Sequence, residues 1–575
     1  MSGPALEVRE AGARYIVQGT LPLIREFELM ATAPGGIAKL RELVLSLAVQ
    51  GRLVSHLSHD EPAETLLQRL SALRCTVTHA NRDQTSDGAP YELPCGWAWA
   101  AFGDLVENMG SGWSPACDEG ERSEVDRWAV LKTTAVQVMQ YRPNEHKALP
   151  VKLNPRPNIE VKPGDVLVTR AGPMNRVGIS CAVGETPERL MLSDKIVRAH
   201  PIGDEMLASF VVLALNAGWS KVQIEIAKTG MAASQVNISQ SDLKAIPVPV
   251  CSQTEQHRIV ARVEELMKLC DTLEQSGRLA DEQHARLTST LFDALVASES
   301  AHALAENWQR IAEHFDLLLD RPEAIAALEQ TILQLAVRGL LVPQDSRDAL
   351  DDGAAVSLGD AGSIRNEADD VNPELPTSWS RVSLGSITRD LRYGTSAKCA
   401  YESVGAPVLR IPNLCSGRVL VSDLKFGALS ADEVRRLRLE VGDLLIIRSN
   451  GSASLVGSAA IVGKEAYGFA FAGYLMRLRL REEWATPSFV LLTLETAAVR
   501  SQIERPLRTT SGVKNINSTE VANIRLSLPP LAEQHRIVAR VEELRLLCTQ
   551  LRERLSAARR TQSQLADALV AEVLA

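Results

Sequence analysis

The chain reads as a mixed α/β (α+β) protein built twice. Two modules stand in tandem pseudo-repeat, separated by long antiparallel coiled-coil spacer helices and related by approximate two-fold symmetry. Three observations predict this. The segment EQHRIVARVEEL occurs unchanged at Glu255–Leu266 and at Glu533–Leu544, an offset of 278. Apolar residues then step 4-3-4-3 through Ile259, Val263, Leu266, Cys270 and Leu273, and again through Ile537, Val541, Leu544, Cys548 and Leu551, which is the seam of a coiled coil. Ahead of each helix lie short β-like runs, punctuated by Gly-Asp turns and closed by prolines that bar a continuous helix.

The 575 residues suggest about three or four packing units. An apolar fraction of 45% with 23% charge excludes wholesale disorder, and 4% aromatics leaves the cores to Leu, Val, Ile and Ala. A net charge of −9 argues against a chain that coats nucleic acid indiscriminately, yet permits a local basic groove. Nine cysteines, an odd count without C-x-x-C, signal neither a zinc site nor a disulfide framework. The N-terminus lacks a basic-then-apolar leader, and no apolar run approaches the roughly 18 residues of a membrane span. The expectation is a cytoplasmic protein of the reducing compartment.

In order, the chain divides into an extension of unknown role (1–24), an opening helix and link (25–90), a first module (91–250), a central helical region (251–342), a linker (343–372), a second module (373–528) and a distal spacer helix (529–575). The opening helix, about Gly36–Leu53, carries Ile37, Leu40, Leu43, Val44, Leu47 and Ala48 on one face. Its end, LAVQGRLV, answers LAVRGLLV at offset 288, with Gly51 and Gly339 as stop signals. Polar links follow at Thr78–Gly88 and Gln344–Asn372. LPCGW (93–97) and LPTSW (375–379) open the modules at offset 282, and Gly164-Asp165 answers Gly442-Asp443. AIPVPV and IRLSLPP close them. Ser252 and Glu255 have capping-box spacing, and Pro530 suits a first helical turn. A helix of thirty or more residues would span roughly 45 Å or more, so such a pair would act as a ruler between modules.

Signatures of catalysis are missing. There is no G-x-x-x-x-G-K-[ST], G-x-S-x-G or H-E-x-x-H, and Asn154-Pro155-Arg156-Pro157 is not the tetrapeptide an amino-methyltransferase needs. His257 and His535 recur on the polar flank of a helix start, which suits a solvated or partner-facing side chain.

With LAVQGRLV/LAVRGLLV, the LPxxW openings and the proline-ended strands running into EQHRIVARVEEL, the chain resembles the specificity subunit of type I restriction–modification systems, from about residue 25 to its end. The resemblance implies a non-catalytic chain whose modules are target-recognition domains, each reading one half-site of an asymmetric bipartite target in double-stranded DNA. The helical regions, with Ile259, Val263, Leu266, Leu273, Ile537, Val541, Leu544 and Leu551, would form the spacer and dock two methyltransferase (M) subunits, and through them restriction (R) subunits. S-adenosylmethionine, ATP and Mg are then expected on the partners, with no cofactor or metal on this chain and no membrane involved; the whole complex would methylate adenine and cleave DNA. The first 24 residues have no counterpart in the second copy. The alternative is a tandem-repeat protein-interaction scaffold that reads no DNA.

Candidate DNA-facing residues follow from what the two modules share and where they differ. Arg170 and Arg448 end matching apolar strands, the second running on to Asn450; each suits either a DNA contact or a framework salt bridge. Lys228, Thr229 and Gln235 in copy one, and Arg508, Thr510 and Lys514 in copy two, lie in polar loops before the closing strand, where a solvated loop is the plain alternative. Lys132, Thr133 and Arg410 follow another strand pair, while Ser111, Trp113 and Ser114 have no equivalents in copy two. Trp97 and Trp379 are shared and suit core packing.

Overall fold

A computed structural model describes residues 9–10, 13–14, 27–73, 91–117, 127–203, 205–345, 347–348, 375–402, 404–505, 508–510 and 513–574. The link Thr78–Gly88 lies outside the described residues, as does all of 349–374. Within 1–24 only a two-residue ladder is described, Arg9–Glu10 against Ala13–Arg14. The chain forms two compact units, Met1–Arg278 with Arg559–Ala575, and Leu279–Ala558.

The module in unit one contains β1 (Ala98–Ala101), β2 (Val106–Ser111), β3 (Ala129–Leu131), β4 (Val166–Thr169), β5 (Ala171–Gly172), β6 (Ser180–Ala182), β7 (Ile196–Pro201), β8 (Thr229–Ala232), β9 (Gln235–Asn237) and β10 (Pro247–Val250). Its central sheet has the order β6-β4-β7-β2, beside a ladder β5-β9-β8 and a closing antiparallel pair β10-β1. The module in unit two repeats this with β11 (Ser380–Ser383), β12 (Thr388–Tyr393), β13 (Ala406–Leu409), β14 (Leu444–Ile447), β15 (Ser449–Asn450), β16 (Ala459–Ile461), β17 (Leu475–Leu480), β18 (Arg508–Thr510), β19 (Val513–Asn515) and β20 (Arg525–Leu528). Here β12-β17-β14-β16, β15-β19-β18 and β11-β20 are the equivalent arrangements.

The Gly-Asp turns launch β4 and β14, which are buried along their whole length. Gly164 and Gly442 have φ of +84° and +90°, a region open to glycine, and the following aspartate closes the turn. Asp165 accepts a hydrogen bond from the Lys162 N–H and Asp443 from the Glu440 N–H, both at 2.7 Å. Each carboxylate has a second partner on the neighbouring strand, His200 Nδ1 at 3.1 Å in one module and Arg479 Nε at 2.7 Å in the other.

Four helices organise the rest: α1 (Gly36–Val49), α2 (Gln253–Val296), α3 (Pro322–Val337) and α4 (Leu531–Leu574). The opening helix stops at Val49, short of Leu53, because Gly51 turns left-handed (φ +68°) and the Arg52 N–H reaches back to the Leu47 carbonyl at 2.9 Å; Gly339 and Leu340 end α3 in the same way. In unit one, Arg41 of α1 faces Asp271 and Glu274 of α2, while Ala48 and Val49 share a buried cluster with Ile259 and Val263, so α1 and α2 run antiparallel. The tail of α4 runs along α1 in the same direction: Lys39 bonds Ser563, Leu40 meets Ala566, and Leu43 and Leu47 meet Val573. Within unit one the tail of α4 therefore runs antiparallel to the start of α2. In unit two, Phe292 and Leu295 from the tail of α2 join Ile325 and Leu328 of α3 and Ile537, Val541 and Cys548 of α4 in one cluster.

The seam residues are divided differently from the expectation. Ile259 and Val263 are buried against Phe210 and Val248 of their own module, and Ile537 and Val541 against Phe489 and Leu526 of theirs. Only from Cys270 onward does the first seam meet the other long helix, through Ala566. Leu266, Leu273, Leu544 and Leu551 are half-buried. A module offers more apolar surface at the helix start than a second helix could, so burial is greater there.

Candidate nucleic-acid interface

The recurring motifs meet at one node in each copy. A Cβ on Gly51 would lie 2.6 Å from Pro94 and 3.1 Å from Trp97; one on Gly339 would lie 2.6 Å from Pro376 and 3.2 Å from Trp379. The indole of Trp97 donates to Glu255 at 3.2 Å, and that of Trp379 to Glu533 at 3.0 Å. Gln256 accepts from the Leu207 N–H and donates to the Cys251 carbonyl, both at 3.0 Å; Gln534 likewise accepts from the Thr486 N–H and donates to the Pro529 carbonyl. Arg258 grips Asp60 with both terminal nitrogens, and Arg536 holds Asp348 at 2.5 Å. Those hydrogen bonds hold the Asp60 carboxyl far below the usual carboxylate range, whereas burial pushes Glu533 up.

His56, Asp60 and Glu255 bring three metal-ligand atoms within 4.8 Å of one another. Asp60 is already committed to Arg258, and Gln344, standing where His56 stands, donates to Glu533 at 2.6 Å. The group is part of the framework that seats each long helix on its module.

Each module carries several of its predicted residues to one edge. In unit one the Gly112 N–H donates to the Ser193 carbonyl, Trp113 to Leu192, and Arg170 to Lys195 at 2.8 Å, while Ile238 donates back to Arg170. The ladder β5-β9-β8 continues from Arg170, so Ser111, Trp113, Ser114, Arg170, Thr229 and Gln235 share this edge. In unit two Gly394 donates to Leu475, Arg448 to Tyr474 and Ile516 to Arg448, and the ladder β15-β19-β18 brings Asn450, Lys514, Arg508 and Thr510 alongside. Gly112 and Gly394 permit this closeness: a Cβ would stand 1.9 Å from the Leu192 oxygen or 2.3 Å from the Ala472 oxygen.

Individual side chains are used unequally. Ser114 bonds the Asp194 carboxylate. Trp113 lies under the Arg156 guanidinium at 4.1 Å and packs on Val130, Leu149 and Met191, which makes it chiefly a packing residue. Lys132 Nζ lies 3.7 Å from Glu145, and the Thr133 carbonyl accepts from Arg176. Thr229 donates to the Asn237 carbonyl; Gln235 is exposed. Asn450 accepts from the Ser452 N–H and faces Lys514 across its ladder. Arg410 donates to Asp423. Lys228 departs from the expectation of a free cation: its Nζ bonds Glu225 and the Met174 carbonyl, and its side chain is 6% exposed. Glu225, near the end of the preceding helix, draws the ammonium inward.

Among the described residues, six buried side-chain atoms have no hydrogen-bond partner: Nε of Arg170, Arg410, Arg448, Arg477 and Arg481, and Oγ of Ser193. Three belong to arginines singled out from the sequence, and Ser193 lies beside Gly112 on the same edge. Buried donors are normally satisfied, so these positions stand out from the rest of the two modules. Sequence reasoning missed Ser193 and four exposed tyrosines of unit two, Tyr393, Tyr401, Tyr467 and Tyr474. Two signals were available. Four of the seven tyrosines fall in the second module, and residues 373–528 carry 20 Lys and Arg against 14 Asp and Glu (net +6), whereas 91–250 carry 16 against 18 (net −2).

Two divergent α/β edges on a duplicated helical framework define a two-module recognition protein. Residues 396–558 match the family described as type I restriction modification DNA specificity domain. The chain is 41% identical to the EcoEI type I restriction enzyme specificity subunit of Escherichia coli over 290 residues, about half the length of each. It is 28% identical to the EcoAI specificity subunit of Escherichia coli over 564 residues, 93% of each chain, and 31% identical to the EcoKI specificity subunit of strain K12 over 41% of this chain and 48% of that one. Over these spans the chain is similar to type I restriction enzyme specificity subunits. No helix among the described residues is long and apolar enough to cross a membrane.

Proposed function

We propose that this chain is the non-catalytic, sequence-reading subunit of a cytoplasmic type I restriction–modification complex, each module reading one half-site of an asymmetric bipartite DNA target. One observation carries the reading: the frameworks repeat the same tryptophan–glutamate and arginine–aspartate contacts, while the edges around Arg170 and Arg448 differ between modules. A dimer of identical readers favours a palindrome, and two unlike readers favour a two-part word. Much of the phosphate neutralisation then falls to partners, consistent with a net charge of −9.

The partners are two adenine-methyltransferase subunits and, through them, the restriction subunits; S-adenosylmethionine, ATP and Mg reside there, and the flipped adenine is handled there. Support comes from surfaces that recur on both long helices. His257, Ala261 and Glu264, and His535, Ala539 and Glu542, are exposed and identical. Leu269 and Leu547 are exposed at matching positions, as are Leu287 and Leu565 eighteen residues on, five full turns along the same face. The long helices set the gap between half-sites, so a four-residue insertion in one should change that gap and keep both words.

Mapping modified adenines in the host with the gene intact and deleted tests this reading. Loss of methylation at one asymmetric two-part motif is expected. Identical maps, together with no sequence preference in the partner-assembled complex, would leave the protein-interaction scaffold.

A further inference from the structure

Arg448 is held from several sides. One terminal nitrogen donates to the Gly473 carbonyl at 3.2 Å, and the guanidinium lies 4.6 Å from the centre of the Tyr393 ring. Tyr393 is itself fixed, because its hydroxyl accepts a hydrogen bond from the Ser518 N–H at 2.7 Å. The Arg448 main chain is tied on both sides, to Tyr474 and to Ile516. The first module has the same arginine without the clamp. Ser111 stands in place of Tyr393 and Lys195 in place of Tyr474. Among the described residues the Arg170 guanidinium has no hydrogen-bond, ion-pair or ring partner, and its Nε is buried and unsatisfied like that of Arg448.

These two states have different uses. An arginine free to swing can follow a phosphate but must lose its rotamer freedom on contact. A clamped arginine has lost that freedom already, and its planar fork points one way, which favours a bidentate contact to a fixed pair of acceptors. In the major groove that pair is O6 and N7 of guanine. The Gly473 bond occupies one of the five N–H groups, so terminal N–H groups remain for a base edge. We propose that Tyr393 and the Gly473 carbonyl clamp Arg448 as a guanine-reading residue for the half-site of the second module. Arg448 is the contact, and Tyr393 acts through it as a positioning residue. The proposal rests on the DNA-reading function inferred above.

The test uses the full chain assembled with its methyltransferase subunits and duplex libraries randomised in both half-sites. Arg448→Lys keeps the charge and removes the fork; Tyr393→Ser copies the first module. Both should relax preference for guanine at one position of the second half-site by roughly 5- to 150-fold, the range a bidentate arginine supplies at 1.4 kcal/mol per tenfold. Preference in the first half-site should stay as it was, and Tyr393→Phe, which keeps the ring, should rescue what Tyr393→Ser loses. Unchanged second-half-site preference in Tyr393→Ser would overturn the clamp. So would an equal loss across all sequences with a smaller salt slope, the mark of a phosphate contact, in Arg448→Ala, which removes the charge. Absence of any preference in the unmodified complex would instead overturn the DNA-reading function, so the two failures are distinguishable.

Discussion

Replacing Gly339 by alanine strikes the node where three motifs meet. Its φ is +74°, and the added Cβ would lie 2.6 Å from Pro376 Cγ and 3.2 Å from both Pro376 Cδ and the Trp379 ring. The left-handed backbone costs an L-residue about 1–2 kcal/mol. Overpacking costs about 1–3 kcal/mol where neighbours cannot give. Here they cannot give easily: the proline ring is stiff, and Trp379 is held by its bond to Glu533. The sum is about 2–5 kcal/mol, and at roughly 2–4 °C per kcal/mol the unfolding of unit two should fall by about 4–20 °C. Scanning calorimetry of the purified chain reads this directly. Gly339→Asn separates the two causes, since asparagine tolerates the left-handed region but still carries the Cβ. Gly51→Ala should act alike in unit one, where Pro94 lies 2.6 Å away. A shift below about 2 °C in Gly339→Ala would refute the close approach of glycine, proline and tryptophan.

Asp60→Ala should cost about 3–5 kcal/mol, the range for breaking a buried ion pair, because its side chain is fully buried and Arg258 holds both oxygens. Asp348→Ala should cost less, about 1–2 kcal/mol, since that pair is more open and singly bonded; urea unfolding compares them. The Asp60 carboxyl is depressed in the folded chain, so its contribution is present above the ordinary aspartate range and lost as pH falls through and below about 4. Acid titration should therefore destabilise the unmodified chain more steeply than Asp60→Ala. Lys228→Ala should leave DNA affinity as it was, the ammonium being turned onto Glu225, whereas Arg170→Ala should lower it; binding isotherms decide. Thiol labelling near pH 8 should modify exposed Cys95 and Cys415 well before Cys181, which burial pushes up to about 12.

The duplication made the framework legible. Twelve identical residues and two glycine stops marked helix starts and ends that recur in space, and the Gly-Asp turns located the central strand of each module. What the sequence left hidden is how partners are shared. Periodicity placed Ile259 and Val263 on one helical face but could not say whether a module or another helix covers it, because both offer apolar side chains. Local charge likewise marked Lys228 as basic without revealing that Glu225, three residues earlier at the end of the preceding helix, captures it. The edge residues were found where a strand end met a loop, as at Arg170 and Arg448. Ser193 and Tyr393 became visible only when distant strands were brought together.

The identity of the two EQHRIVARVEEL segments exceeds what the fold requires. Glu255, Gln256, Arg258, Ile259 and Val263 are fixed by the indole, main-chain, carboxylate and core contacts that their copies also make. His257, Ala261 and Glu264 are exposed, and among the described residues neither His257 nor Glu264 makes a hydrogen bond or ion pair. Among the described residues no polar contact holds these positions. Drift has been free to act close by, since Met267-Lys268 answers Arg545-Leu546 immediately beyond the repeat, and the modules themselves differ at most positions. An exposed strip that stays the same twice, between residues that do not, is explained by an external surface presented twice. Such a surface would suit two copies of one partner, the stoichiometry proposed for the methyltransferase subunits. The contrast with the edges then has a physical basis: docking faces must match one shared partner, whereas recognition edges must each match a different word.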